Sequence, residues 1–542
     1  MSKTAIDSLE AQQIIQQQHA EEAALQQPQM DPLLQRKQAS RSFRLLMYYT
    51  ATFGIASGLN IIVVSEYSLL TVFNNNVVYA AQIGSYSSAL LYITRVFIGN
   101  PIMGGVSDSL GRRPGFVVST FAWTFAVASF YMFPSIPMML FGSFLQGCLT
   151  PEPITQSFCA DLTTTFTMTD QFVTNKSQVT SETHAKKKEE MTVQEQATFR
   201  DQFAKKSAKL IATILATYTF SLAVGAVVGS ILSIKEEEES KSSNSTSNSF
   251  CDDEEEEEEE DAGGLGLSSA DDASHLDGAF KAAIFMGFVC LGVTCMMGAK
   301  GDGTKHGGGN VTKIDEFDPR KAWLTSMMYV KDVMWPSTYV RSLCVLLFVS
   351  KSLEYGALGI FYFYGKWQFG WKATDYGIFV VVILFANAFA NTVMVRFFNK
   401  LFSDQWDGGA ICMLLLTAEF LGYAVAETAS AFTLVAVINT LNFLFSIIKG
   451  KMLSKFEPEE FGKVAGGQEI LLSCGAIVGP LLTAAMFAWG VGQTGLEECA
   501  LGTDKHYWEP AAPWFFCAFG VAALGLCVPM LKRLEREAGG AI

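Results

Sequence analysis

The chain has 542 residues, 50% of them hydrophobic and only 17% charged, a balance too apolar for an ordinary soluble protein and in keeping with a membrane protein. Its formal charge of −14 is local: residues 235–277 hold 17 acidic side chains against Lys235 and Lys241, and everything else is close to neutral. No basic patch in it suggests a nucleic-acid partner. The sequence also lacks a Walker-type phosphate loop, metal-ligand spacing and a nucleophile elbow, so neither an ATP-driven pump nor an enzyme is expected, and no cofactor or metal.

Residues 1–42 are rich in Gln and carry mixed charges without an apolar core, which reads as a cytoplasmic tail rather than a signal peptide. From Phe43 onward, apolar segments recur that are long enough for the roughly 20 helical residues a bilayer requires. They run at 43–65, 78–103, 115–133, 137–160, 209–233, 279–299, 340–364, 373–398, 409–427, 431–455, 463–490 and 512–531. The expected fold is therefore an all-α membrane protein with twelve transmembrane helices. Most Lys and Arg residues fall on the side that holds both termini, which makes that side cytoplasmic and places 534–542 there as a second tail.

Two loops exceed the connections of a minimal bundle. Residues 162–208 form a cytoplasmic insert whose Lys186, Lys187 and Lys188 suit lipid head groups or a partner. The non-cytoplasmic loop 235–278 is too acidic and too poor in apolar residues to fold, so it is expected to be disordered. Asn175, Asn244 and Asn310 begin N-x-S/T acceptors, and only Asn244 lies outside the cytoplasm in this topology.

An internal repeat divides the chain into a first bundle at 43–299 and a second at 340–533, joined by a cytoplasmic linker at 300–339. Ser107-Asp108 recurs as Ser403-Asp404, and Asp161 recurs as Glu457, both at an offset of 296. Later the offset falls to 250, where Val224 to Gly229 matches Cys474 to Gly479. The change is about the length of the 162–208 insert, so two similar six-helix units explain all three matches. The small residues Gly225, Gly229, Gly475 and Gly479 mark faces for close helix packing, expected here between the two halves.

The stretch Gly104-Gly105-Val106-Ser107-Asp108-Ser109-Leu110-Gly111-Arg112-Arg113-Pro114 joins the second and third segments. At these residues the chain resembles the major facilitator superfamily, whose corresponding loop carries glycine, aspartate and Gly-Arg-Arg or Gly-Arg-Lys. Residues 141–163 and 462–482 resemble its tetracycline-resistance-like branch. The resemblance covers about 43–533 apart from the two inserts, and implies two pseudo-symmetric bundles that rock about a midplane site. It further implies a cytoplasmic gating latch of Gly104, Gly105, Asp108, Gly111, Arg112, Arg113 and Asp161, with Asp404 and Glu457 as second-half counterparts. Asp108 would meet the start of the eleventh helix, and Arg112 would pair with Asp161, when the cytoplasmic side is closed. The alternative for Arg112 and Arg113 is a simple topology anchor.

Charges inside spans are costly and usually face a cavity or one another. Glu152, set between Pro151 and Pro153 in the fourth segment, is thus a candidate for solute contact or proton uptake, with a structural pairing to Arg95 as the equal alternative. Lys351 and Glu354 share one face of the seventh segment, either as pathway residues or as a self-neutralising pair. In the resembling fold, helices 1, 4, 7 and 10 line the cavity, which adds Asn60, Asn442 and Lys449. Two departures weigh against standard proton coupling and antiport: Ser143 stands where an arginine usually precedes Phe-Leu-Gln-Gly, and Ser230 stands where exporters carry proline. The expected function is facilitated or secondary active transport of a small organic solute by a monomer, with H+ coupling open. The alternative is a non-transporting receptor or scaffold.

Overall fold

The computed structural model describes residues 32–103, 111–155, 213–233, 276–297, 337–390, 404–438, 461–496 and 507–539. Parts of 158–167 and 447–456 and isolated positions at 210, 328, 393, 397, 401 and 402 complete that set. Gly104, Gly105, Asp108, Asn442, Glu457 and the acceptors Asn175, Asn244 and Asn310 lie outside the described residues.

Each of the twelve predicted segments contains helix, and no strand is present among the described residues. Lipid offers the backbone no partners, so a spanning segment must satisfy its amides internally, and a helix does so. In order they are α1 (Pro32–Thr71), α2 (Val77–Thr94, continued by a π-helical turn at Arg95–Gly99), α3 (Arg112–Met132) and α4 (Ile136–Cys148). Then come α5 (Thr213–Ser233), α6 (Asp277–Met296), α7 (Thr338–Phe369) and α8 (Ala373–Phe389). α9 (Gln405–Val425), α10 (Ala429–Val435, tightened to 3₁₀ at Ala436–Ile438), α11 (Phe461–Thr494) and α12 (Ala512–Leu526) complete the bundles, and α13 (Val528–Gly539) follows. Among the described residues, eight helical stretches are long and apolar enough to cross a membrane, the last running through α12 and into α13 (Ala512–Glu537). The chain is an integral membrane protein, and its two ends are called outer and inner below after the charge-derived topology.

Local chemistry sets the turns. Between α1 and α2, Asn74 and Asn75 take φ of 46° and 60°, which asparagine tolerates better than most residues, and Asn76 caps α2 by accepting from the Tyr79 amide at 2.8 Å. Gly111 precedes α3 at φ 92°, and Gly370 ends α7 at φ 64°. At Cys527 the regular helical pattern is interrupted, which divides α13 from α12 although Cys527 keeps helical dihedrals.

The glycine faces correct one expectation. Gly225 of α5 abuts the Ile55 carbonyl of α1, and a Cβ at Gly229 would sit 3.6 Å from Leu59 Cα. Gly479 of α11 abuts the Ser352 carbonyl of α7, and a Cβ at Gly475 would lie 2.7 Å from the Phe348 carbonyl oxygen. Both faces therefore pack within their own half rather than between halves, because the small residues opposite them are Gly58 in α1 and Gly356 in α7. Those two stand 298 positions apart, close to the 296 of the sequence repeat, so the α1/α5 and α7/α11 crossings are counterparts.

Contact between the halves is made elsewhere. α2 packs along α11, and Gly377 of α8 lies directly against the Ser230 hydroxyl of α5. A continuous buried core joins Leu69, Phe73, Val77 and Val78 of the first half to Tyr362, Phe363 and Trp367 of the second, all near the outer end. Near the inner end, the first-half core around Leu46, Tyr49, Phe116 and Ile154 contains no second-half residue among the described ones. Thus the described core ties the halves together on the outer side.

Candidate functional site

A charged layer lies beneath that outer core, and a local irregularity builds it. The π-helical turn widens α2 at Arg95–Gly99, a feature frequent at functional positions. Gly99 and Gly147 let α2 and α4 approach to backbone contact. α4 then breaks at Leu149 and Thr150 and resumes at Glu152, the residue between the two prolines. As a result the Arg95 guanidinium donates to Glu152 Oε1 and the Thr150 hydroxyl donates to Glu152 Oε2. Glu152 still leaves 44% of its side chain open, so it borders space rather than packed protein.

From Arg95 the layer extends across the halves. Its guanidinium carbon lies 5.1 Å from the Tyr92 ring centre, and Tyr92 meets Tyr355 of α7 edge to face at 5.2 Å. On the other side of Tyr355 stands the Lys351 ammonium, 4.2 Å from the ring centre, which also contacts Glu354 at 2.6 Å. Lys449 reaches Glu469 of α11 at 3.3 Å. Three cations and three carboxylates from α2, α4, α7, α11 and the 447–449 helical piece thus share one layer, with Glu469 in the field of Lys449, Arg95 and Lys351 together. Asn60 lies on α1, and its Oδ1 is buried without a hydrogen-bond partner among the described residues.

Above the layer, Glu66 of α1 and Lys366 of α7 approach to 3.7 Å across the halves, with side chains only 5% and 9% exposed. Sequence reading missed this pair. The predicted first and seventh segments end at 65 and 364, one and two residues short of it.

At the inner end, Arg112 Nε lies 3.0 Å from Asp161 Oδ2, and Arg113 donates to the Cys295 carbonyl at 2.6 Å, where the end of α6 presents unsatisfied acceptors. The Arg112 to Asp161 pair exists here while the outer ends are packed together. Both residues belong to the first half. Asp404 caps α9 by accepting from the Trp406 amide at 3.0 Å. Glu419 of α9 accepts from the Tyr423 hydroxyl at 2.9 Å.

No protein-family model matches the sequence, and no curated protein does. Solved structures do match in fold. A bacterial homolog of the human lysosomal transporter Spinster, in an inward-facing and occupied conformation, is 10% identical over 91% of this chain and 97% of its own, at a TM-score of 0.56. The nucleoside transporter NupG is 10% identical over 91% of this chain and 99% of its own, at 0.53. The human organic anion transporter MFSD10 is 13% identical over 89% and 99%, at 0.50. The chain therefore has the major facilitator fold, built as two six-helix bundles, as the stretch ending in Gly111-Arg112-Arg113 had implied.

Proposed function

We propose that the chain is a transporter that carries a small organic solute across the membrane by alternating access, through the layer formed by Asn60, Glu152, Lys351, Glu354 and Lys449 together with Asn442. The observation that carries this reading is the buried Glu66 to Lys366 pair between the halves, roofing a layer of charged side chains that keep part of their surface open. Buried charge is expensive, and a rigid scaffold has no need to place six ionisable groups at the seam of two bundles. Nucleoside, peptide and organic anion carriers share this architecture, which supports small solutes as cargo. The residues around 141–163 and 462–482 favour the tetracycline-resistance-like branch within it.

In this mechanism the halves rock about the layer. Glu66 and Lys366 part as the outer vestibule opens, and Asp108, Arg112, Arg113 and Asp161, with Asp404 and Glu457, brace the cytoplasmic ends. Where transport follows a pH gradient, the proton is assigned to Glu152 or Glu354, since loss of either charge would release Arg95 or Lys351 towards the solute. Expected placement in the bilayer has both termini cytoplasmic.

The test is uptake into proteoliposomes of a panel of sugars, nucleosides, short peptides and organic anions, with and without a pH gradient. Saturable uptake of at least one class is expected, reduced at least tenfold by Arg95→Ala. A panel without flux would leave the receptor or scaffold reading. Unchanged uptake and unchanged pH dependence in Glu152→Gln would remove that residue from coupling.

A further inference from the structure

The repeat that aligns Asp108 with Asp404 aligns Arg112 with Gly408. The second half thus keeps the carboxylate of the inner loop and lacks the arginine that follows it. In the first half that arginine links two helices directly, since Arg112 begins α3 and Asp161 lies on the last part of the fourth span. α9 and the end of the tenth span pack directly at Cys412 and Ile447, and among the described residues their polar link runs through another element.

α13 occupies that place. Lys532 contacts Asp404 Oδ2 at 3.2 Å and also meets Asp407 Oδ1. One turn on, the two oxygens of Glu535 divide between neighbours: Oε2 accepts from the Trp406 indole at 2.8 Å, and Oε1 meets the Lys451 ammonium at 2.8 Å. Trp406 belongs to α9 and Lys451 to the end of the tenth span, so a single carboxylate bridges both. Charge-assisted bonds of this kind are stronger and better directed than neutral ones. Val528 and Leu531 bury the apolar side of α13, whereas Arg533 and Glu537 face outward and pair with each other.

We propose that Lys532 and Glu535 are positioning residues that complete the inner latch of the second half, with α13 supplying in three dimensions the cation that Gly408 cannot. The proposal rests on the alternating-access reading for its purpose, since a latch matters only to a bundle whose inner ends move. Structurally it makes the inner ends of α9 and the tenth span depend on α13, while those of α3 and the fourth span hold themselves.

Hydrogen exchange on the full-length protein in lipid nanodiscs tests it. Lys532→Met and Glu535→Gln should each speed exchange at least threefold in 404–412 and 447–452, leave 112–120 unchanged, and Lys532→Arg should restore the wild-type rates. Faster exchange confined to 528–539, or equal acceleration at 112–120, would overturn the proposal. The exchange readout needs no solute, so a panel without flux would remove the transport reading while leaving the latch standing.

Discussion

Glu66 and Lys366 show how single residues decide where the halves meet. Each is nearly enclosed by protein, and a buried charge that loses its partner costs about 3–5 kcal/mol. Glu66→Gln should therefore weaken the outer closure and raise labelling of a cysteine placed at Phe73 by a membrane-impermeant maleimide at least tenfold. The exchanged pair Glu66→Lys with Lys366→Glu should bring labelling most of the way back. Failure of the exchanged pair to do so would mean that packing around Trp367, not the charge pair, closes the outer end. A sequence window could not see this pair because an isolated charge ends an apolar run, and only folding reveals that the charge has a partner 300 positions away. Arg95 and Glu152 were easier to read, since prolines on either side made Glu152 conspicuous within one segment.

At the scale of elements, the glycines and α13 carry separate predictions. Gly479 lies against the Ser352 carbonyl, and a larger side chain would force α7 and α11 apart. Overpacking of this kind costs about 1–3 kcal/mol, so Gly479→Leu should lower the thermal midpoint in detergent by several degrees, whereas Gly492→Leu, where a Cβ meets nothing within 4 Å, should not. Small-residue spacing revealed that α5 and α11 have close faces, but spacing along one helix does not say which neighbour covers them. That partner came from Gly58 and Gly356, on α1 and α7.

The inner latch of the second half has a pH signature. Burial alone would push the Asp404 carboxyl up, but the Trp406 amide and the Lys532 ammonium outweigh it and hold it below its ordinary 3.8. A group whose value is depressed in the folded state contributes stability that is present above its ordinary value and fades as the pH falls through the folded one. The difference in thermal midpoint between wild type and Asp404→Asn should stay constant from pH 5 to pH 8 and shrink below pH 3.8. A difference that shrank already between pH 7 and pH 5 would assign the effect to another group.

For the whole molecule, hydropathy, the 296-residue offset and the Gly111-Arg112-Arg113 stretch make the twelve-helix, two-bundle fold legible in the sequence. Those signals repeat along the chain, and repetition is what a linear reading detects. The candidate site was half legible: its charged members stood out inside apolar segments, whereas Tyr92 and Tyr355, which join the halves beside them, looked like ordinary membrane aromatics. The most direct test of alternating access is the distance between spin labels on the two halves, one pair at the outer ends of α1 and α7 and one at the inner ends of α3 and α9. Two distance populations are expected at each end, with Glu66→Gln lengthening the outer distances as it shortens the inner ones. A single population at both ends, unmoved by Glu66→Gln, would contradict a rocking transporter.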